Sequence, residues 1–208
     1  MVEIVLVSLT MFFATIGPPD IALIFAALTK EASNKERFIF ATRGVLVATV
    51  ILLFFGFLGD AILSLFGIGI PALKAGGGIL LLLIAIDMVF ARHSGGTGTT
   101  KEETAEAKKS EDISIFPLAT PLLAGPGAIS AVILLTTGAE SRLEFWLVLL
   151  ALILIMLISW LMLLLAIPIQ RILGITGLAV VSRIVGILLA ALAVQFIFDG
   201  VKESGVFG

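Results

Sequence analysis

The sequence contains no cysteine, no tyrosine and a single histidine, and only 13% of its 208 residues are charged. Without cysteine the chain forms no disulfide, no thiolate metal site and no cysteine nucleophile. A lone histidine, His93, with no acidic or basic cluster beside it, provides no catalytic dyad or metal centre. We therefore expect no enzymatic activity, no cofactor and no metal. The net charge of −2 and the lack of a basic patch argue against nucleic-acid binding.

Apolar residues make up 60% of the chain, and the mean hydropathy is +1.22. Soluble domains contain about 45–50% apolar and about 25% charged residues. The apolar runs exceed the roughly 20 residues that a spanning helix needs, and they lack the alternation of a transmembrane strand. The composition predicts an all-α, polytopic membrane protein. Met1 to Ile4 lack the basic region of a signal peptide, so we expect the first apolar run to stay as a span.

Six apolar segments are predicted as membrane-spanning helices: 2–29, 38–66, 70–91, 113–138, 145–168 and 176–201. Residues 93–112, between the third and fourth segments, are small, polar and charged, which is typical of a flexible linker. This predicted linker separates two three-helix halves of one membrane domain, 1–92 and 113–208.

The lysines and arginines predict the orientation. If the six spans alternate, ten of these residues lie on the side of the linker, and only Lys74, Arg142 and Lys202 lie on the other side. Cytoplasmic loops carry the excess of Lys and Arg. The pattern therefore predicts a multi-pass protein of the cell (plasma or inner) membrane, with a cytoplasmic linker and both termini outside.

The two halves show an internal repeat. A shift of 108 residues superposes several pairs: Gly17 on Gly125, Pro18 on Pro126, Gly78 on Gly186, and Asp87 on Gln195. Within one residue, the turn Phe66-Gly67-Ile68 also matches Leu173-Gly174-Ile175. Three spans per half is an odd number, so a true repeat would place the second half upside down relative to the first.

Two motifs interrupt apolar runs near their middle: Gly17-Pro18-Pro19-Asp20 in the first segment and Gly125-Pro126-Gly127 in the fourth. Glycine costs a helix interior about 1 kcal/mol and proline about 3 kcal/mol, so each motif predicts two half-helices with a break between them. Irregular backbone at membrane depth survives where it lines a cavity or is buried in protein. Matched breaks in two halves of a membrane protein indicate a transporter's binding site.

The seven residues of these motifs are the predicted substrate site. We expect free N–H groups where each second half-helix starts and free carbonyl groups where each first half-helix ends. Such a pocket would suit a small zwitterion, whose carboxylate accepts from N–H groups and whose ammonium donates to carbonyl groups or to Asp20. The alternative is that both breaks are structural kinks and that Asp20 caps a helix turn.

Ionisable residues within the spans are functional candidates, because burying their charge is costly. Asp20 alone lies near the predicted midplane, where it could neutralise an ammonium group or carry a coupling proton. Three other aspartates, Asp60, Asp87 and Asp199, fall near span ends and are expected to be solvated or paired at an interface. Gln195 is expected to have a partner across the bundle, and Lys74 to extend toward the interface.

Five stretches resemble the MarC family of small membrane proteins: Pro117 to Ile129, Ala75 to Leu80, Ile84 to Met88, Ser182 to Ile187, and Ala193 to Gly200. The resemblance implies six spans, kinship with the LysE-type exporters and, for the SnatA-like members, proton-linked transport of small neutral amino acids such as glycine and alanine. The chain departs from the family at the first break. There the family pattern is Asp-Pro-x-Gly-x-x-Pro, whereas the aligned residues here are Gly17, Pro18, Asp20 and Leu23.

Four functions remain to be compared. The first is a secondary transporter of small neutral amino acids working by alternating access, and the lack of a phosphate-binding loop excludes direct use of ATP. An exporter of another small polar metabolite and a channel-like pore are the alternatives that also use broken helices. A structural membrane subunit would leave the breaks without a purpose.

Overall fold

The computed structural model describes residues 2–90 and 112–205, without the side chains of 170–176, 178–179 and 181–182. These residues form helices and no strand. The helices are α1 (Val2–Ile16), α2 (Pro18–Leu28), α3 (Asn34–Phe66), α4 (Ile70–Phe90), α5 (Ser114–Leu123), α6 (Pro126–Thr137), α7 (Arg142–Leu164) and α8 (Ala166–Glu203). The predicted linker lies outside the described residues except for Asp112, and so does His93.

The ends of α3 follow from local sequence. Ser33 and Glu36 form a reciprocal capping box: the Ser33 hydroxyl accepts from the Glu36 amide at 3.3 Å, and the Glu36 carboxylate accepts from the Ser33 amide at 2.8 Å. This arrangement satisfies two N–H groups that a helix start leaves without partners. At the other end, Gly67 takes φ 65°, the left-handed conformation that glycine adopts at no steric cost, and α3 stops at Phe66 as predicted.

Five helical stretches of the described chain are long and apolar enough to cross a membrane, and α5 with α6 makes a sixth if this bent pair counts as one span. The all-helical, multi-pass architecture predicted from composition is thus confirmed. The first five predicted segments agree with α1–α2, α3, α4, α5–α6 and α7 to within about four residues at each end. The apolar runs alone carried this information.

The boundary of the last helix was predicted wrongly. The sequence indicated a connection at 169–175 with a turn at Leu173-Gly174-Ile175, but the backbone is helical from Ala166 to Glu203 and the connection is Leu165 alone. Pro168 lies in the first turn of α8, where its missing N–H leaves no helix bond unmade. The single glycine at 174 costs about 1 kcal/mol inside a helix, which is too little to end it.

Aromatic side chains form a cluster at each end of the bundle. Near the start of α3, the Phe38 ring packs edge-on against Trp160 of α7, with centroids 6.1 Å apart. Near its other end, Phe57 contacts Phe145 and Trp146 at the start of α7. At about 1.5 Å per residue, Phe38 and Phe57 lie about 28 Å apart along α3, close to the roughly 30 Å thickness of the hydrocarbon core. The two clusters therefore match the aromatic belts of a membrane protein.

Helices α4 and α8 make the most extensive contact in the bundle. A Cβ on Gly78 of α4 would lie 2.8 Å from the carbonyl oxygen of Ala193, and a Cβ on Gly186 of α8 would lie 3.2 Å from that of Ala85. Gly200, near the end of α8, lies against Pro71 near the start of α4. The residue numbers rise along one helix as they fall along the other, so α4 and α8 run antiparallel. Glycine permits this backbone-to-backbone approach.

Two ion pairs join elements that are distant in sequence. The Lys74 ammonium lies 2.6 Å from Glu203, which joins the start of α4 to the end of α8. Arg43 pairs with Asp112 at 2.6 Å, joining the first part of α3 to a residue two positions before the start of α5. Lys74 is thus held by a partner instead of only extending toward the interface. Together with the aromatic clusters, these pairs place the ends of α3, α4, α7 and α8 in the alternating order that a multi-pass chain requires.

Candidate functional site

The first break is one residue long. Helix α1 ends at Ile16, Gly17 takes φ 64° and ψ 54°, and α2 starts with Pro18 and Pro19 as its first two residues. Left-handed backbone is readily adopted by glycine but strained for other residues. Proline is suited to a first helical turn because its φ is already fixed at a helical value. Gly17, Pro18 and Pro19 are all buried, so this break lies inside the protein.

At this break the backbone carries unpaired acceptors and no unpaired donors. The amides of Asp20 and Ile21 both donate to the Gly17 oxygen, at 3.0 and 3.1 Å, and the Gly17 amide donates to Phe13. Pro18 and Pro19 have no N–H. The expectation of free N–H groups here was therefore wrong, for a reason visible in the sequence itself.

The carbonyl groups behave as predicted. Those of Ala14, Thr15 and Ile16 accept from no donor in the described part of the chain, because the residues four positions later are the two prolines and Asp20. These three residues are between 2% and 7% exposed. Carbonyl oxygens carry partial negative charge at a helix C-terminus, so they attract a cation.

Asp20 lies in the first turn of α2 and is half-buried. Its Oδ2 atom is 3.6 Å from the position that a side chain on Gly17 would occupy, so the carboxylate folds back over the break. Asp20 also has an interaction partner in the protein. The carboxylate therefore lies beside the first break.

The second break is longer and more irregular. Within α5, Phe116 and Thr120 have extended backbone (φ −126° and −133°). Each precedes a proline, whose ring disfavours the helical conformation in the residue before it. Gly125 is extended, at φ −79° and ψ 172°, and α6 begins with Pro126. The axis turns by 55° between α5 and α6.

The backbone at this second break supplies donors. In the described residues, the amides of Gly125, Gly127 and Ala128 have no hydrogen-bond acceptor. The first hydrogen bond of α6 is donated by the Ile129 amide to the Gly125 oxygen, at 3.0 Å. All three of these residues are buried, and Pro126 is exposed. Unpaired N–H groups at a helix start favour an anion. Carbonyl groups at the end of α5 also accept from no donor among the described residues, so this break offers both kinds of group.

The two broken spans pack against each other: α1 contacts α6, and α2 contacts α5. Helix α4 lies behind the second break, where Ile84 occupies the space beside Gly127, and a Cβ added at Gly77 would lie 3.9 Å from the Ser130 Cβ. The space beside Gly125 is also filled, because an added Cβ would lie 2.6 Å from the Pro121 oxygen. The backbone at the second break is therefore tightly packed.

The remaining aspartates are solvated or paired, as the prediction allowed. Asp60 is exposed, as expected. Asp87 is only 8% exposed and has an interaction partner, so it is paired and not solvated. Gln195 was expected to bond across the bundle; its amide donates instead to Asp199, one turn along α8, at 2.9 Å. Burial of Asp87 depends on how α4 packs, which the sequence does not display.

Sequence reasoning missed a cavity of about 500 Å³ that contains none of the seven predicted site residues. It lies among the end of α2, the start of α3 and the α7–α8 junction, which are distant in sequence and carry no recognisable motif. No group of three or more His, Asp or Glu side chains that could hold a metal ion occurs in residues 2–90 and 112–205.

Comparison with known proteins agrees with this architecture. The family model for MarC family integral membrane proteins matches residues 2–204. A UPF0056 membrane protein of Methanocaldococcus jannaschii is 37% identical over 199 residues, covering 96% of both chains. UPF0056 membrane proteins of Archaeoglobus fulgidus and Escherichia coli are 39% and 37% identical, covering 95% and 94% of this chain and 92% and 89% of their own.

No solved structure matches the chain. The family match extends through both halves and every helix that the structure describes. The chain is therefore a multi-pass integral membrane protein that belongs to the MarC family.

Proposed function

We propose that this protein is a secondary transporter that carries small neutral amino acids, of the glycine and alanine class, across the cell membrane by alternating access around its two helix breaks. The observation that carries the proposal is the complementary set of unpaired backbone groups. The first break offers the carbonyl groups of Ala14, Thr15 and Ile16, and the second offers the amides of Gly125, Gly127 and Ala128.

A zwitterionic amino acid matches this arrangement. Its ammonium group would donate to the α1 carbonyl groups near Asp20, and its carboxylate would accept from amides at the start of α6. An unpaired backbone group in an apolar environment costs several kcal/mol, so a ligand that pairs with several of them is favoured. The crowding around Gly125 and Gly127 supports a small side chain on the substrate.

The contacts between α4 and α8 support two inverted three-helix repeats. Gly78 faces Ala193 and Ile197, and a shift of 108 turns these contacts into Gly186 facing Ala85 and Val89, which also occur. The same exchange of halves turns the contact between α1 and α7 into the one between α5 and α3. Inverted repeats that exchange roles provide two access states around one fixed site.

Asp20 is the coupling candidate in this proposal. A carboxylate near the break can bind either a proton or the ammonium group of the substrate. The two would compete for Asp20, and the proton gradient would drive transport through this competition. No catalytic residue, cofactor or metal takes part. In this scheme both termini lie on the outer side of the cell membrane, because ten of the thirteen Lys and Arg residues belong to the cytoplasmic side.

The proposal is tested by counterflow in proteoliposomes. Vesicles loaded with unlabelled alanine should accumulate radiolabelled alanine, because a carrier exchanges bound substrate and a channel does not. Alaninamide, which lacks the carboxylate, and N-acetylalanine, which lacks the ammonium group, should each compete at least about tenfold more weakly than glycine. Accumulation without an exchange requirement would identify a pore, and equal competition by both analogues would contradict zwitterion binding at the breaks.

A further inference from the structure

The cavity of about 500 Å³ is apolar on its walls and polar at one end. Phe25 of α2, Phe38 of α3, and Leu163 and Ile167 at the α7–α8 junction contribute the apolar surface. Asn34 and Arg37, in the first turn of α3, contribute the polar end. Such a division suits an amphiphile, with its charged group at the start of α3 and its chain along the walls.

Arg37 is held rigidly at the edge of this cavity. Its Nε and Nη2 atoms donate to the Thr29 oxygen at 3.0 and 2.8 Å, Nη2 also donates to the Lys30 oxygen, and Nη1 donates to Asn34 Oδ1 at 3.3 Å. These bonds use four of the five N–H groups of the guanidinium. They also close the C-terminal end of α2, which fixes the position of the charge.

No described residue of the protein neutralises the charge of Arg37. All of its bonding partners are neutral, and no carboxylate of the described residues forms an ion pair with it, whereas Arg43 and Lys74 each have one. Arg37 is half-buried, so its charge is less screened by water than that of an exposed residue. The arrangement leaves a fixed positive charge facing a partly open cavity.

The level of the cavity in the membrane follows from Phe38. Its ring both lines the cavity and packs on Trp160, and aromatic clusters of this kind lie at the boundary between headgroups and hydrocarbon. An arginine at this depth meets lipid phosphates, and the apolar walls below it meet acyl chains.

We propose that this cavity is a binding site for one anionic phospholipid, with the headgroup phosphate at Arg37 and Asn34 and an acyl chain along Phe25, Leu163 and Ile167. The site is separate from the helix breaks and shares none of their residues. It would join the α2–α3 connection to the α7–α8 junction, two regions that belong to different halves of the chain.

Native mass spectrometry of the detergent-purified protein tests this proposal, with phosphatidylglycerol and phosphatidylcholine of the same acyl chains added in parallel. The wild type should retain one phosphatidylglycerol about fivefold more strongly than phosphatidylcholine, the effect of about one Arg charge at a membrane surface. Arg37→Gln should abolish that preference. Arg43→Gln, which removes an exposed cation of the same helix outside the cavity, is the matched control and should keep it.

Ala166→Leu gives a second variant that leaves the charge intact. Ala166 lines the cavity and is 2% exposed, so the larger side chain should reduce retention of both lipids. Inorganic phosphate at millimolar concentration should not displace phosphatidylglycerol, because the acyl chain contributes to binding. Equal retention of the two lipids by the wild type would overturn the proposal, as would full displacement by phosphate or an equal loss in Arg43→Gln.

Discussion

The close contact between α4 and α8 leads to a quantitative prediction about glycine. In Gly78→Ala, the new Cβ would lie 2.8 Å from the Ala193 oxygen and 3.0 Å from the Ile197 amide nitrogen. Both are backbone atoms, so the helices must separate by several tenths of an ångström. Overpacking of this kind costs about 1–3 kcal/mol, partly offset by the 0.5–1 kcal/mol that alanine gains over glycine within a helix. We expect a net loss of about 1–2 kcal/mol.

Gly76→Ala is the matched control, two residues away on the same helix. A Cβ there would meet nothing within 4 Å. Only the higher helix propensity of alanine remains, so the free energy of unfolding should rise by about 0.5–1 kcal/mol. Gly186→Ala should lose stability like Gly78→Ala, because its Cβ would lie 2.9 Å from the Met88 Cβ and 3.2 Å from the Ala85 oxygen.

Reversible unfolding in mixed detergent micelles gives the free energy of unfolding for all three variants. The reasoning predicts that Gly78→Ala and Gly76→Ala differ by about 2 kcal/mol, with opposite signs relative to the wild type. Equal stability of the two would show that α4 and α8 do not approach at Gly78. If Gly186→Ala were as stable as Gly76→Ala, the reciprocal contact would be refuted.

Three further predictions concern single residues. Asp20→Asn should reduce the dependence of alanine uptake on an imposed pH gradient at least about tenfold, while Asp60→Asn, at an exposed position, should not; unchanged coupling in both would assign Asp20 a structural role. Ser33→Ala should lower the free energy of unfolding by about 1 kcal/mol through loss of the helix cap, and an unchanged melting temperature would contradict this. Hydrogen bonding from Ser114, assisted by the Arg43 charge, lowers the pKa of Asp112. Its carboxylate therefore stabilises the fold above the unfolded pKa of about 3.9. Asp112→Asn should lower the free energy of unfolding by less than about 1 kcal/mol at pH 7 and should have no effect below the folded pKa. A larger loss of stability at low pH than at pH 7 would contradict this reasoning.

The fold was predictable because apolar length is a local property of the sequence. Runs such as 38–66 must cross a membrane or be buried, and helices satisfy their backbone groups internally. The turn at Gly67 was also predictable, since Gly67, Gly69 and Pro71 lie within five residues of one another and such residues interrupt helices. Gly174 carries a similar local pattern but lies within α8. Local propensity is a weak signal, and the surrounding helix overrides it.

The positions of the two helix breaks were predictable from sequence, but their unpaired backbone groups only in part. Gly17 and Gly125 were identified because glycine and proline disrupt apolar helices. The missing donors at the first break also follow from sequence, since two consecutive prolines remove two N–H groups. Burial of Asp87 and the cavity beside Arg37 depend on helices that meet only in three dimensions. No single segment carries a signal for either feature.

The most direct test of the account is uptake of radiolabelled glycine and alanine into proteoliposomes, with and without a pH gradient. Wild-type protein should be compared with a variant in which Gly125, Pro126 and Gly127 are all replaced by alanine, and with Gly76→Ala as a folded control. The account predicts saturable uptake in the wild type and in Gly76→Ala, and its loss in the triple variant. Undiminished uptake by a folded triple variant would contradict a substrate site at the helix breaks.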